Sequence, residues 1–227
     1  MGLDSTVEGF YTKNAEEGYA AEYDRAHGPR LDALLKHPIL SNLKGQKIAD
    51  IGGGLGFLGK RLDPSNDYWV FDGAECPEDN KVAKGTWVPC DIQRDSFGHP
   101  SALTYGKIIP RFDIAFCLEV VEHLSDPYHC FVEIKRLVKP NGLIVISIPT
   151  EKVWHNVVYC GLLWPSQNFE QFLDQMALPR LAAWKYEPEW QAYHWITRNA
   201  AWTESKMLYP KAEPKFRGKT PLEMTNL

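Results

Sequence analysis

Lys47-Ile48-Ala49-Asp50-Ile51-Gly52-Gly53-Gly54-Leu55-Gly56-Phe57-Leu58-Gly59-Lys60 is the stretch that decides the fold. A short apolar run closes on the acid Asp50, and a cluster of glycines leads directly into residues able to open a helix over Phe57 to Leu62. The pattern predicts a strand, a tight turn and a helix start. Without a Cβ, Gly52, Gly53, Gly54 and Gly56 can take positive φ and let a ligand lie on bare backbone. The free N–H groups of a new helix would point at that ligand. This is the form of a nucleotide-binding turn.

The glycines by themselves fit two ligand classes. Gly54, Gly56 and Gly59 satisfy G-x-G-x-x-G, and Asp72 lies where an acid can accept a ribose diol, as a dinucleotide site requires. Counted from Asp50, the same residues read D-x-G-x-G-x-G. The rest of the chain separates the two.

Downstream, Tyr68 to Phe71 reads as a second strand ending at Asp72-Gly73, and residues 74 to 86 read as a loop. Thr86 to Cys90 is a third short strand, ending at Asp91-Ile92. An acid followed by an aliphatic side chain suits an adenine: the carboxylate accepts the exocyclic amine and the aliphatic group covers the ring face. A nicotinamide dehydrogenase does not require that pair here. Arg111 to Leu118 is a fourth strand, apolar enough to be buried on both faces as parallel strands are. Pro127 to Lys139 is a helix, and Leu143 to Ile148 a fifth buried strand. Strands alternating with helices in this order predict a doubly wound, mostly parallel Rossmann-like α/β sheet with helices on both faces.

The fourth strand runs into Glu119-Val120-Val121-Glu122-His123. A helical turn there would put Glu119, Glu122 and His123 on one face. Two carboxylates and an imidazole beside a ligand crevice make either a general-base site or a site for a hard divalent ion such as Mg2+ or Mn2+.

Size and composition bound the function. A chain of 227 residues with net charge −4 accommodates one α/β domain and has no overall attraction for polyanions, so no nucleic-acid partner is expected. No apolar run approaches the roughly 18 residues of a membrane helix, and the first residues lack a secretory pattern, so a cytoplasmic protein is expected. The five cysteines include no C-x-x-C pair, which argues for reduced thiols.

Together these motifs resemble those of class I S-adenosylmethionine (SAM) dependent methyltransferases. DIGGGLG resembles the family's first motif, FDG its ribose acid, CDI its adenine-side pair and VKPNGLIVISIP its later strand. CLEVVEHLSDP is similar to the E-x-x-E-H segment of the ubiquinone-biosynthesis O-methyltransferase branch, which includes sugar- and glycan-modifying relatives. The resemblance implies that SAM is bound by Asp50, Gly52, Gly53, Gly54, Gly56, Asp72, Gly73, Asp91, Ile92, Cys117 and Leu118. It further implies that Glu119, Glu122 and His123 lie on the acceptor side, as catalytic groups or metal ligands.

The resemblance covers about residues 45 to 150, and the chain as a whole is expected to form a single domain in four parts: an N-terminal helical lid over 1–44, a SAM-binding core over 45–150, a substrate cap with the last sheet elements over 151–208, and a tail over 209–227. The lid is predicted as one or two helices broken at Gly28-Pro29, with Tyr11, Tyr19 and Arg30 as candidate contacts. The cap, with six of the eight tryptophans, is expected to be largely helical and rich in aromatics. His194 is a candidate extra base or ligand. The expected reaction is O-methylation of a small-molecule acceptor, a sugar hydroxyl of a glycan or nucleotide-sugar first and a phenol or quinone second. An NAD-dependent oxidoreductase and a non-catalytic SAM-binding protein are the rivals.

Overall fold

The computed structural model describes residues 19–73, 81–98, 103–104, 107–108, 111–150, 166–187 and 191–200. Nine strands are present among them: β1 (Lys47–Ile51), β2 (Asp67–Asp72), β3 (Thr86–Pro89), β4 (Leu103–Thr104), β5 (Lys107–Ile108), β6 (Phe112–Leu118), β7 (Val138–Pro149), β8 (Arg180–Tyr186) and β9 (Ala192–Arg198). Three α-helices accompany them: α1 (Tyr19–Leu35), α2 (Pro127–Leu137) and α3 (Ser166–Gln175).

Seven strands form one sheet in the order β3-β2-β1-β6-β7-β9-β8, and β4 and β5 form a separate antiparallel pair. From β3 to β7 all neighbours run parallel, while β9 and β8 are antiparallel. The order reverses at β1/β6, which places a crevice beyond the carboxyl ends of those two strands, where open α/β sheets bind ligands. Both faces are covered. On one, Leu31 and Leu34 of α1 pack with Ile48, Val70, Ile114 and Val145. On the other, Phe131, Ile134 and Leu137 of α2 and Phe169, Phe172 and Leu173 of α3 pack with Ile51, Phe71, Ala115 and Ile146. Strands buried on both faces need the near-continuous apolar runs read from the sequence.

Local chemistry places the helices. Asp126 caps α2, its carboxylate accepting from the His129 N–H at 3.1 Å, and Pro127 occupies the first turn. Such a cap contributes about 1 kcal/mol. α1 runs unbroken through Gly28-Pro29, contrary to the expected break. Ion pairs clamp its first half to the segment after the glycine turn, Asp24 to Lys60 at 2.8 Å and Asp24 to Arg61. Its second half is held by Asp32 to Arg61 at 2.8 Å.

Two further expectations differ. After the glycine turn only Gly59–Arg61 is helical, as a single 3-10 turn. Gly59 itself faces Tyr68, whose ring would stand 2.3 Å from an added Cβ, so the third glycine of the motif serves packing. The aromatic C-terminal segment is built from α3 followed by β8 and β9, with Trp195 buried against Phe169 at a ring separation of 5.0 Å. Trp184 and Trp195 therefore lie on strands, not helices. Tyr11, Trp154, Trp164, Trp190, Trp202 and the whole 209–227 tail lie outside the described residues.

Candidate active site

The glycine turn bends through three positive φ angles, 69° at Gly52, 53° at Gly54 and 90° at Gly56. Each serves a different purpose. A Cβ on Gly52 would stand 2.5 Å from Val120 Cγ2, so this glycine lets the end of β6 lie against the turn. A Cβ on Gly56 would meet Trp87 at 3.0 Å. At Gly54 a Cβ would meet nothing within 4 Å, so its bare backbone faces open space. That is a cradle a ligand can occupy.

Asp72 ties the end of β2 to this cradle. Its Oδ2 accepts from the Gly54 N–H at 2.8 Å and its Oδ1 from the Gly73 N–H at 2.7 Å. A carboxylate has about four lone-pair sites, so a ribose diol can still be accepted at the same oxygens. Beneath the turn Trp87 Nε1 donates to the Gly54 carbonyl at 3.0 Å.

Asp50 is 4% exposed and accepts from the Tyr68 hydroxyl at 2.5 Å, and a Cβ on Gly53 would collide with its carboxylate. Burial pushes its pKa up to about 7, against the opposing Tyr68 hydrogen bond and helped by the charge of Asp72. Asp50 thus supports the turn from below. With a single 3-10 turn following, the N–H groups that face a ligand are those of the turn itself.

Asp91 and Ile92 sit at the end of β3, both half-buried. Asp91 Oδ1 accepts from the Gln93 N–H at 2.9 Å. Gln93 Oε1 in turn accepts from both the N–H and the hydroxyl of Ser125 at 2.8 Å, stitching this loop to the one after β6. Leu118 is half-buried at the end of β6, whereas the Cys117 side chain is fully buried in the core, so only its backbone can face a ligand. The Cys130 thiol and burial hold the Cys117 thiol protonated.

The Glu119–His123 segment crosses beside the cradle because Val120 packs on Gly52. Glu119 adopts φ +56°, an unusual value for a residue with a Cβ, and the surroundings hold it there. Its N–H donates to the Ser147 carbonyl at 3.1 Å, its Oε1 accepts from the Ser147 hydroxyl at 2.8 Å, and the same oxygen meets Arg30 Nη1 at 2.9 Å. Arg30 comes from α1, is 3% exposed, and also donates to the Ser147 hydroxyl at 3.2 Å.

The segment forms a 3-10 turn over Val121–His123, so the three side chains do not share one helical face. Glu122 is 2% exposed, and among the described residues neither carboxylate oxygen has a hydrogen-bond partner. Its pKa is raised well above the ordinary carboxylate range by burial and then by the Glu119 charge, which keeps it protonated. His123 lies at the rim, its side chain 39% exposed and its Nε2 3.8 Å from Glu122 Oε1.

His194 sits on β9 directly opposite Ser147 of β7, so both point to the face that carries Arg30. It is 1% exposed and stacked on Trp184, with ring centroids 5.2 Å apart. Neither ring nitrogen makes a hydrogen bond of normal geometry among the described residues. Burial, then the Arg30 charge, pushes its pKa down to about 3, against a weak contact with the Ala192 backbone. His194 is neutral at physiological pH.

The expected metal site does not fit. Among the described residues no three His, Cys, Asp or Glu side chains are grouped as a metal ion requires. Glu119 is turned to the Arg30 guanidinium, whose charge repels a cation at that oxygen, and Glu122 is held protonated.

Sequence reasoning gave Arg30 only a lid contact and missed Ser147, Gln93 and Tyr68. Ser147 was detectable as the lone polar residue inside LIVISIP. The other two carried no signal, because their roles depend on contacts across 32 and 18 residues of chain.

A family model described as "Methyltransferase domain" matches residues 19–200. Among curated proteins the chain is similar to a ubiquinone biosynthesis O-methyltransferase of Dinoroseobacter shibae, at 33% identity over 56% of this chain and 47% of that protein. It is also similar to one of Erwinia tasmaniensis, at 26% identity over 58% and 53%. A tRNA U34 carboxymethyltransferase of Idiomarina loihiensis is 23% identical over 64% and 45%. The chain spans about half the length of these relatives. Among solved structures, the N-methyltransferase NodS of Bradyrhizobium japonicum with S-adenosyl-L-homocysteine superposes with TM-score 0.60, 14% identity, 86% coverage of this chain and 99% of that one. A chain from the Haloferax volcanii complex between the Trm112 methyltransferase activator and a methyltransferase gives 0.63 at 13% identity, covering 85% and 98%. These likenesses show the fold.

Proposed function

The chain belongs to the class I SAM-dependent methyltransferase family, and on that premise we propose that it transfers a methyl group from SAM to a hydroxyl of a small molecule. One observation supports this above the others. The Val120–Gly52 contact supports a placement of the buried Glu122 carboxyl and the rim His123 beside the glycine cradle, where an acceptor's proton would be released.

SAM, when bound, supplies an electrophilic methyl on a good leaving group. The chain's own contribution is position and proton handling. The open backbone at Gly54, with Asp72 and Gly73 on one side and Asp91 and Ile92 on the other, forms the cradle for the nucleoside. Holding the acceptor in line can supply roughly 7 to 11 kcal/mol of the barrier. A hydroxyl near neutral pH is protonated and must lose its proton as it attacks. His123 is placed to take it. Glu122 Oε1, 3.8 Å from Nε2, faces the imidazolium that forms. Buried beside them, the Arg30–Glu119–Ser147 network fixes the end of β6.

Two of the curated relatives are named for ubiquinone biosynthesis, which supports a phenol- or quinone-type acceptor, whereas the first expectation was a sugar. Gln191, just before β9, has its Oε1 accepting from the Thr150 hydroxyl at 3.4 Å and its carbonyl from the Thr150 N–H at 3.0 Å. We therefore carry both acceptors into the test. Transfer of label from methyl-labelled SAM to panels of sugars and phenols should give an O-methyl product. His123→Asn should lower turnover about 100-fold or more, the usual contribution of a general base, while S-adenosylhomocysteine still binds. Undiminished turnover in that variant would remove the proton-acceptor role.

A further inference from the structure

The loop that follows β3 is fastened differently at its two ends. Its far end belongs to the core: Phe97 is fully buried against Phe71, ring centroids 5.7 Å apart, and the Gly98 N–H donates to Glu133 Oε2 of α2 at 2.9 Å. A Cβ on Gly98 would stand 1.9 Å from the Glu133 carbonyl oxygen, so the loop lies directly on the helix. Its near end, Asp91 to Asp95, is a closed turn. The Arg94 and Asp95 N–H groups donate to the Asp91 carbonyl at 3.0 and 2.7 Å, and Asp95 Oδ2 accepts from the Asp91 N–H at 2.7 Å. These five residues form one piece, and Asp91 and Ile92 are part of it.

Two side chains join that piece to the other half of the site. Gln93 Oε1 accepts from the N–H and the hydroxyl of Ser125, both at 2.8 Å. His129 Nε2 lies 3.1 Å from the Asp95 carbonyl, which can only accept, so the ring nitrogen donates. Ser125 and His129 are themselves linked, because Asp126 between them accepts from the His129 N–H at 3.1 Å. His123 stands two residues before Ser125. The 3-10 turn holds it, with N–H bonds from His123 to the Val120 carbonyl and from Leu124 to the Val121 carbonyl, at 2.9 and 3.2 Å. A continuous path of hydrogen bonds and short covalent steps therefore runs from Asp91 to His123. Phe97 and Gly98 already anchor the loop, and Gln93 and His129 are half-buried with Ser125 exposed, so these two joints add little to the core.

We propose that Gln93 and His129 are positioning residues that transmit occupancy of the adenine end of the cofactor site to His123. Adenine against Asp91 and Ile92 steadies the Asp91–Asp95 turn. Through Gln93 and His129 the turn steadies Ser125 and the start of α2, and these set the His123 ring at the rim. The site is then best ordered for proton removal when the methyl donor is in place. This rests on the SAM cradle and the His123 role proposed above. The coupling is reciprocal, so the same joints tighten the nucleoside.

The test follows the Cε1–H resonance of the His123 ring by NMR in the full chain, identified by its loss in His123→Asn. The chain is titrated to saturation with S-adenosylhomocysteine and with S-ribosylhomocysteine, which lacks the adenine. S-adenosylhomocysteine should shift the signal, and S-ribosylhomocysteine should shift it less than about half as far. Gln93→Leu should shrink the response to S-adenosylhomocysteine. Gln93→Leu/His129→Leu should bring it below about half and weaken binding about three- to tenfold, with the melting temperature unchanged within about 2 °C. Ser125→Thr and His129→Gln keep the donors for Gln93 and Asp95 and should respond as wild type does. A full response in the double variant, equal responses to the two ligands, or a His123 signal that bound S-adenosylhomocysteine does not move each overturn the inference and leave the cradle assignment standing. Failure of S-adenosylhomocysteine to bind would overturn the proposed function, and the inference with it.

Discussion

Substituting Gly52 by alanine puts a methyl group 2.5 Å from Val120 Cγ2 on a backbone held at φ +69°. Two costs add. The left-handed conformation disfavours a residue with a Cβ by about 1 to 2 kcal/mol. Crowding a packed contact costs about 1 to 3 kcal/mol more. The sum is about 2 to 5 kcal/mol, a large share of the roughly 5 to 15 kcal/mol that holds a domain together. For a chain of this size that corresponds to a melting temperature lower by roughly 4 to 20 °C. Only the crowding depends on Val120. In the double variant with Val120→Ala, about 1 to 3 kcal/mol should therefore return relative to the sum of the single changes, measured by urea titration of all four proteins. Additive effects would mean that the end of β6 does not lean on the turn, and the placement of Glu119 to His123 beside the cradle would lose its cause. Gly54→Ala is the contrast: with open space around its Cβ it should cost only the conformational 1 to 2 kcal/mol, or about that, yet weaken S-adenosylhomocysteine by obstructing the cradle.

Asp50 gives a pH signature. Its pKa is about 3.8 unfolded and about 7 folded, so between those values only the folded state holds the proton and stability falls as pH rises. The slope is about 1.4 kcal/mol per pH unit, with roughly 4 kcal/mol as the upper figure across the window. Asp50→Asn keeps an acceptor for Tyr68 and should flatten the profile, becoming the more stable protein near pH 8; parallel profiles from pH 4 to 8 would contradict the buried carboxyl. Glu119→Ala leaves Arg30 buried without its counter-charge and should destabilise by about 3 to 5 kcal/mol, more than Arg30→Met/Glu119→Leu together, read from denaturant midpoints. Chelator treatment should leave methyl transfer unchanged, since Glu119 faces Arg30; restoration of lost activity by Mg2+ or Mn2+ would reinstate the metal site.

The parallel core was legible because strands buried on both faces must be continuous apolar runs, as RFDIAFCL and LIVISI are, and because Asp72 and Asp91 end their strands where ligands bind. Less was legible where long-range contacts override local preference. Gly28-Pro29 looks like a helix break, but ion pairs from Asp24 and Asp32 to Arg61 hold both halves of α1 on one neighbour. The tryptophan-rich segment suggested helices. Ala192 to Arg198, however, alternates in the sheet between the two cores, Trp195 on one side and Ile196 on the other. Within the site, residue types were readable and roles were not. Nothing in E-x-x-E-H shows that Glu119 is claimed by an arginine 89 residues earlier, that Glu122 is enclosed and protonated, or that His123 alone reaches the rim.

Calorimetric titration of the full chain with S-adenosylhomocysteine, with NADH in parallel, tests the assignment of the glycine cradle most directly. Saturable binding of S-adenosylhomocysteine, weakened by Gly54→Ala and absent for NADH, is the predicted result. Binding of NADH in preference, or of neither nucleotide, would contradict it and leave the proton-handling pair of Glu122 and His123 without a methyl donor to serve.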